Sequence, residues 1–272
     1  MPDRIEKRPT LRIALGISYL GSAYPGWQSQ PSGQTVQDQL EKALGQFADR
    51  RVTTLCAGRT DAGVHGINQV VHFDTEVERV ENSWVRGSNR YLPHDIGVQW
   101  ARVVPAAFHS RASAIARRYA YVVLESPVRP SFESGRVGWV FRPLDPDAME
   151  AAKQHLLGEH DFSSFRAAQC QALSPVKDLR RIAISRHGAY WRFEFEASAF
   201  LHHMIRNIMG CLLAIGQGLR PPEWMAEVRD ARSREVAAPT FSPDGLYFLG
   251  PVYEPHWGLP DHVAGFDWLP GQ

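Results

Sequence analysis

Apolar and polar residues alternate from Leu11 to Tyr19, which predicts a strand; the stretch Gly21 to Gln34, rich in Gly, Ser, Pro and Gln, predicts a loop behind it. Thr35 with Asp38 resembles a helix capping box, and Val36, Leu40, Ala43, Leu44 and Phe47 then fall on one helical face. Val52 to Ala57 reads as a second strand, Gly58 to Gly66 as a glycine-containing loop, and Gln69 to Phe73 as a third strand. A helix is expected over Asn82 to Tyr91, stopped before Pro93, and a fourth strand over Ile96 to Val104. The order β-α-β-β-α-β is the ferredoxin-like, or split βαβ, pattern.

The second half rhymes with the first. Arg118 to Leu124 and Arg136 to Phe141 read as strands. Asp145 caps a helix with Pro146 at its first position, Met149, Ala152 and Leu156 as its stripe, and Gly158 beyond its end. Leu179 to Ser185 and Tyr190 to Ala197 form strands around a turn at His187-Gly188. A long apolar helix over Phe200 to Ile215, a second near Glu223 to Ala231 and a closing strand over Gly245 to Val252 complete the half. The expected fold class is α+β, a duplicated architecture: residues 1–107, residues 108–253, and a tail, 254–272, in which Trp257 and Trp268 are candidate anchors.

Composition narrows the function less than the pattern narrows the fold. The 272 residues suit one large domain or two smaller ones, and 44% hydrophobic against 22% charged residues is enough for a core. Met1 to Arg8 are too polar for a secretory signal. Ala199 to Gly216, the longest apolar stretch, carries His202, His203, Arg206 and Asn207, so it reads as a buried helix and no membrane span is expected. Cys56, Cys170 and Cys211, widely spaced and odd in number, fit neither a disulfide framework nor a zinc set; a reducing cytoplasm is expected. The net charge of +1 does not announce nucleic acid. The 26 Arg against 4 Lys suit phosphate and base contacts, but GC-rich coding gives the same excess.

The chemistry concentrates in Gly58-Arg59-Thr60-Asp61-Ala62-Gly63-Val64-His65-Gly66, where small residues leave the Asp61 carboxylate clear of its own backbone. A bare Asp-x-Gly is ordinary turn punctuation. The longer string GRTDAGVH, continued by Gln69-Val70-Val71-His72-Phe73, resembles the signature of the TruA-type tRNA pseudouridine synthases. Further segments resemble that family in order: Gly26-Trp27-Gln28, Thr35-Val36-Gln37, Phe108-His109-Ser110-Arg111, Arg117-Arg118-Tyr119-Ala120-Tyr121, Asp161-Phe162, Phe165-Arg166, Phe200 to Asn207, and Gly245-Leu246-Tyr247. The chain departs from the family pattern at Leu20, Asn68 and Ala112.

The resemblance implies the pseudouridine synthase fold, two ferredoxin-like α/β halves with mainly antiparallel sheets meeting at a central RNA-binding cleft. It implies isomerisation of uridine to pseudouridine on the 3′ side of the anticodon stem and loop of tRNA, by a homodimer, with no cofactor, no metal and no DNA partner. Asp61 matches the family's nucleophile, which attacks either the ribose C1′ or C6 of the base. Tyr119 matches the tyrosine that lies against the target base; alternation puts Tyr121 on the same face, so periodicity alone does not choose between them. Arg206 matches the arginine that pairs with the nucleophile, and its apolar helix supports that, because a buried guanidinium needs an acid. Arg59 is expected to bind RNA phosphate and Leu246 to pack beneath the reacting base. His202 and His203, adjacent on the expected helix, point to different faces and read as packing or RNA-contact residues. The rival readings are a non-catalytic RNA-binding module and a synthase acting on another RNA.

Overall fold

The computed structural model describes residues 10–260. The first half runs β1 (Leu11–Tyr19), α1 (Val36–Ala48), β2 (Leu55–Cys56), β3 (His65–Thr75), α2 (Glu81–Asn89) and β4 (Ile96–Val104). The second runs β5 (Ala114–Glu125), β6 (Gly138–Val140), α3 (Pro146–Gln154), β7 (Gly158–Asp161), β8 (Val176–His187), β9 (Tyr190–Ala197), α4 (Met204–Gly216), α5 (Trp224–Ala231) and β10 (Leu246–Tyr253). The strands form one sheet in the order β4-β1-β3-β10-β5-β9-β8-β7, with β2 on β3 and β6 on β5. Within it, β4-β1-β3-β2 and β10-β5-β9-β8 are two copies of the ferredoxin-like order. They join where β10 runs parallel to β3, Tyr247 opposite His65 and Phe248 opposite Gly66; the β1, β5, β8 and β9 pairings within the two copies are antiparallel.

All five helices cover the same face. Paired residues in a sheet point the same way. Tyr19 stands opposite Gly66, and Gly66 opposite Phe248. Tyr19 belongs to the core beneath α1 and α2, with Leu40 and Trp84; Phe248 belongs to the core beneath α3 to α5, with Met149, Ile208 and Met225. Each such fully buried side chain contributes about 1.5–3 kcal/mol. The capping box is present: the Thr35 side chain accepts from the Asp38 amide while the Asp38 carboxylate accepts from the Thr35 amide. Asp145 caps α3 by accepting from the amides of Asp147 and Ala148.

Several boundaries differ from the sequence expectation for identifiable reasons. Only Leu55–Cys56 of Val52 to Ala57 pairs as strand, because the Thr54 amide and hydroxyl both donate to the Glu41 carboxylate of α1. β7, Gly-Glu-His-Asp at the sheet edge, has no apolar alternation to reveal it. The expected helix over Phe200 to Ile215 begins only at Met204, because His203 takes a left-handed conformation, φ 64°. Trp257 packs edge-on against Phe108, ring centroids 5.3 Å apart, whereas Trp268 lies outside the described residues.

Candidate active site

The Asp61 loop joins β2 to β3 and is fastened on several sides. The Tyr19 and Thr60 hydroxyls are 2.8 Å apart, the Trp27 amide donates to the Thr60 carbonyl at 3.1 Å, and the Gln69 side-chain amide donates to the Gly58 carbonyl. Gly26 has φ 103°, and a Cβ there would lie 2.9 Å from the Thr60 carbonyl oxygen, so this close backbone approach requires glycine. Gly63, φ 80°, turns the chain out of the loop against Pro243. The Arg117 guanidinium, mostly buried, donates to the carbonyls of Ala57 and Ser198 and so braces the loop's entry against the segment leading to α4.

Asp61 is largely enclosed, with 22% of its side chain exposed. Arg206, in the first turn of α4, donates from Nη1 to Asp61 Oδ2 at 3.2 Å and from Nε to the Phe241 carbonyl at 2.9 Å. The guanidinium is therefore held at two edges. Tyr119 lies buried on β5, its ring edge-on to Phe200 at 5.2 Å and tilted against Phe248 at 4.8 Å. Its hydroxyl is 4.0 Å from where a Cβ on Gly58 would sit, so it stands against the Asp61 loop. Burial pushes the Tyr119 phenol well above its usual pKa, with Tyr19 and the Asp61 charge adding to the effect. Tyr121 shares that face, but its hydroxyl is committed to the Ser242 carbonyl. Leu246 is buried at the start of β10, opposite Tyr121 and in the same core cluster as Tyr119. Arg59 is exposed and forms no ion pair among the described residues.

The two histidines correct the sequence reading. His202 Nε2 lies 3.3 Å from Asp61 Oδ1 and His203 Nε2 lies 3.3 Å from Asp61 Oδ2. The expectation of opposite faces assumed a helix through both. In fact α4 starts after them, and the left-handed backbone at His203 brings the two ring centroids to 4.1 Å, both rings turned toward Asp61. Their adjacency in the motif is the only sequence signal, and it does not reveal the turn. Ligand atoms of Asp61, His202 and His203 all lie within 4.8 Å of one another, a spacing that can hold a metal ion. Arg206 already sits on Oδ2, so a divalent ion there would face a fixed positive charge at short range.

A hollow of about 470 Å³ opens alongside, lined by Arg129, Ser134, Trp139, Phe241 and Asp244 but not by Asp61. It touches the site through Phe241, whose carbonyl holds Arg206. Of the departures from the family pattern, Asn68 is buried and accepts from the Trp100 indole at 3.2 Å, Leu20 is half-buried and Ala112 is exposed.

Comparison with known proteins gives a consistent picture. A family model described as tRNA pseudouridine synthase matches residues 16–111 and 152–254. The chain is 72% identical over 264 residues to tRNA pseudouridine synthase A of Polaromonas naphthalenivorans, covering 96% of this chain and 100% of that one. It is 70% identical over 260 residues to the protein of the same name from Albidiferax ferrireducens, again covering 96% and 100%. The match runs through both halves of the sheet, the Asp61 loop and the turn that carries His202, His203 and Arg206, and the chain belongs to the tRNA pseudouridine synthase family.

Proposed function

We propose that the protein isomerises uridine to pseudouridine in tRNA, with Asp61 as the nucleophile. The observation that carries this reading is a carboxylate fixed by Arg206 in a loop fastened on several sides, with Tyr119 against that loop. Pairing with a guanidinium orients a carboxylate, which a nucleophile at carbon requires. Attack at C1′ displaces N1 and leaves the ribose esterified to Asp61, whereas attack at C6 adds the carboxylate to the base before the C1′–N1 bond breaks. In either route the base turns and C5 bonds to C1′, the bond to Asp61 breaks, C5 gives up its proton and N1 takes one up. Leu246 forms the floor beneath the base, Tyr119 stacks on it, and Arg59 meets a phosphate at the rim.

The target is a uridine on the 3′ side of the anticodon stem and loop. Extruding it from a stem costs a few kcal/mol of stacking and pairing, which contacts to phosphate and ribose offset. The protein works as a homodimer across which the RNA lies, in the cytoplasm, and binds no DNA. Cys56, Cys170 and Cys211 are free thiols, in keeping with that compartment. No helix among the described residues is long and apolar enough to cross a membrane.

The test is to incubate unmodified tRNA with the purified protein and map pseudouridine along it. New pseudouridine confined to the 3′ side of the anticodon arm is the expected result. Modification elsewhere in tRNA, or only in another RNA, overturns the assignment of the substrate.

A further inference from the structure

His202 and His203 have no part in the reading above, yet among the described residues they are, with Arg206, the side chains within ion-pair range of the reacting carboxylate. An ionised carboxylate offers two oxygens and about four lone-pair positions. Arg206 Nη1 and His203 Nε2 both lie at Oδ2, at 3.2 and 3.3 Å. His202 Nε2 lies at Oδ1, at 3.3 Å. Among the described residues neither ring has another side-chain hydrogen-bond or ion-pair partner. The backbone is bent to achieve this: His203 is one of only three non-glycine residues in the described chain with positive φ. A side chain held in that conformation next to a reacting group marks a position where geometry serves the site rather than the fold.

We propose that His202 and His203 are positioning residues that, as Nε2–H donors, complete with Arg206 a three-donor clamp on Asp61 and leave Oδ1 as the attacking oxygen. The inference rests on the proposed role of Asp61. Filling both lone pairs of Oδ2 and one of Oδ1 leaves a single lone pair free, and it belongs to Oδ1. At 3.3 Å the imidazole contacts are looser than hydrogen bonds, and they close when bound RNA excludes water, as catalytic contacts commonly do. Neutrality matters because an imidazolium would grip the carboxylate and reduce its nucleophilicity. The groups facing His203 are Asp61, which favours its charged form, and His202, Arg206 and Arg234, which oppose it. Burial adds to the opposition, so its pKa lies below the ordinary imidazole value. Activity should therefore hold at neutral pH and fall on the acid side as His203 charges.

The experiment compares wild type with His202→Ala, His202→Gln, His203→Ala and His203→Gln on unmodified tRNA, measuring kcat, the RNA dissociation constant and the pH–rate profile. Glutamine sets an N–H donor near the position of Nε2 but cannot titrate. The alanine variants should lose about a hundredfold in kcat, the scale of losing a reacting group's orientation, with RNA binding unchanged. The glutamine variants should recover most of that loss, and His203→Gln should shift the acid limb of the profile to lower pH. Alanine variants with wild-type kcat overturn the proposal. So does weakened RNA binding at unchanged kcat, which makes the pair an RNA contact. So do folded glutamine variants as inactive as alanine, which makes the ring a proton carrier. If an alanine variant does not fold, the glutamine variant decides by the same criterion. Wild-type protein that makes no pseudouridine in the same assay refutes the isomerase reading instead, so the two failures are distinguishable.

Discussion

Arg206 is committed twice. Its Nε edge holds the Phe241 carbonyl and its Nη1 reaches Asp61, so the guanidinium plane fixes the carboxylate relative to the segment before β10. Arg206→Met removes both contacts while filling much of the same volume. Asp61 keeps some access to water, with 22% of its side chain exposed, so the loss of a partner is partly solvated. We expect turnover to fall by about a hundredfold or more and unfolding free energy to change by about 1 kcal/mol or less. Arg206→Lys should be impaired as well, since an ammonium cannot reproduce the planar fork. Steady-state kinetics with denaturant unfolding of the same preparations decides the point. A large stability loss with kcat intact would make Arg206 a structural residue. The pairing was legible because a guanidinium in an apolar run needs an acid and the family resemblance names Asp61 as that acid. The histidines were not legible, because one left-handed residue redirects both side chains, and the modest enrichment of histidine at positive φ does not choose His203 over His202.

At the scale of elements, β3 carries the loop's exit and two buried histidines. His65 is 1% exposed and its Nδ1 accepts from the Gly21 amide at 3.0 Å, so the strand anchors the backbone that packs beside Val64. Burial lowers the His65 pKa to about 4, and the His72 pKa in the same direction. In the unfolded chain an imidazole takes up a proton below about pH 6.5. The unfolded state thus binds more protons between about pH 6.5 and 4, and folding stability falls as pH drops through that window. At pH 5 His65 alone should cost about 2 kcal/mol relative to pH 7. His65→Asn, whose side-chain oxygen can still accept from Gly21, should show a flatter decline in urea unfolding at pH 7 and 5. Parallel declines in the two proteins would mean that His65 does not titrate in this window. The elements themselves followed local pattern well: the apolar stripe of α1, the Thr35 and Asp145 caps and the alternation of β9 all appear in the structure, whereas β1 forms over Leu11–Tyr19 but is buried continuously from Ile13 to Ile17, because both of its faces are covered. Where pattern failed, long-range partners had taken over. Glu41 captures Thr54, and Asn207 ties the start of α4 to the Phe165 carbonyl at 2.8 Å.

At the scale of the molecule, the duplicated halves form one sheet because β10, last in sequence, runs beside β3. Local pattern contains no record of that parallel pairing across most of the chain, though the repeat of elements was legible. Its consequence is functional. The seam sets Tyr119 and Phe248 of the second half against the Asp61 loop of the first, and α4 reaches across with Arg206. The chemistry proposed here needs no metal, even though Asp61, His202 and His203 have ligand-like spacing. Exhaustive chelation should therefore leave activity on prefolded tRNA unchanged, with magnesium supplied to the RNA alone as a control. Loss restored by zinc would assign that cluster a metal role. The most direct measurement of the central claim is pseudouridine formation by Asp61→Asn beside wild type. Asparagine nearly preserves the shape of the side chain but is a poor nucleophile. The account predicts a folded variant that binds tRNA as wild type does and forms no pseudouridine. Clear turnover by Asp61→Asn, free of wild-type enzyme, would contradict it.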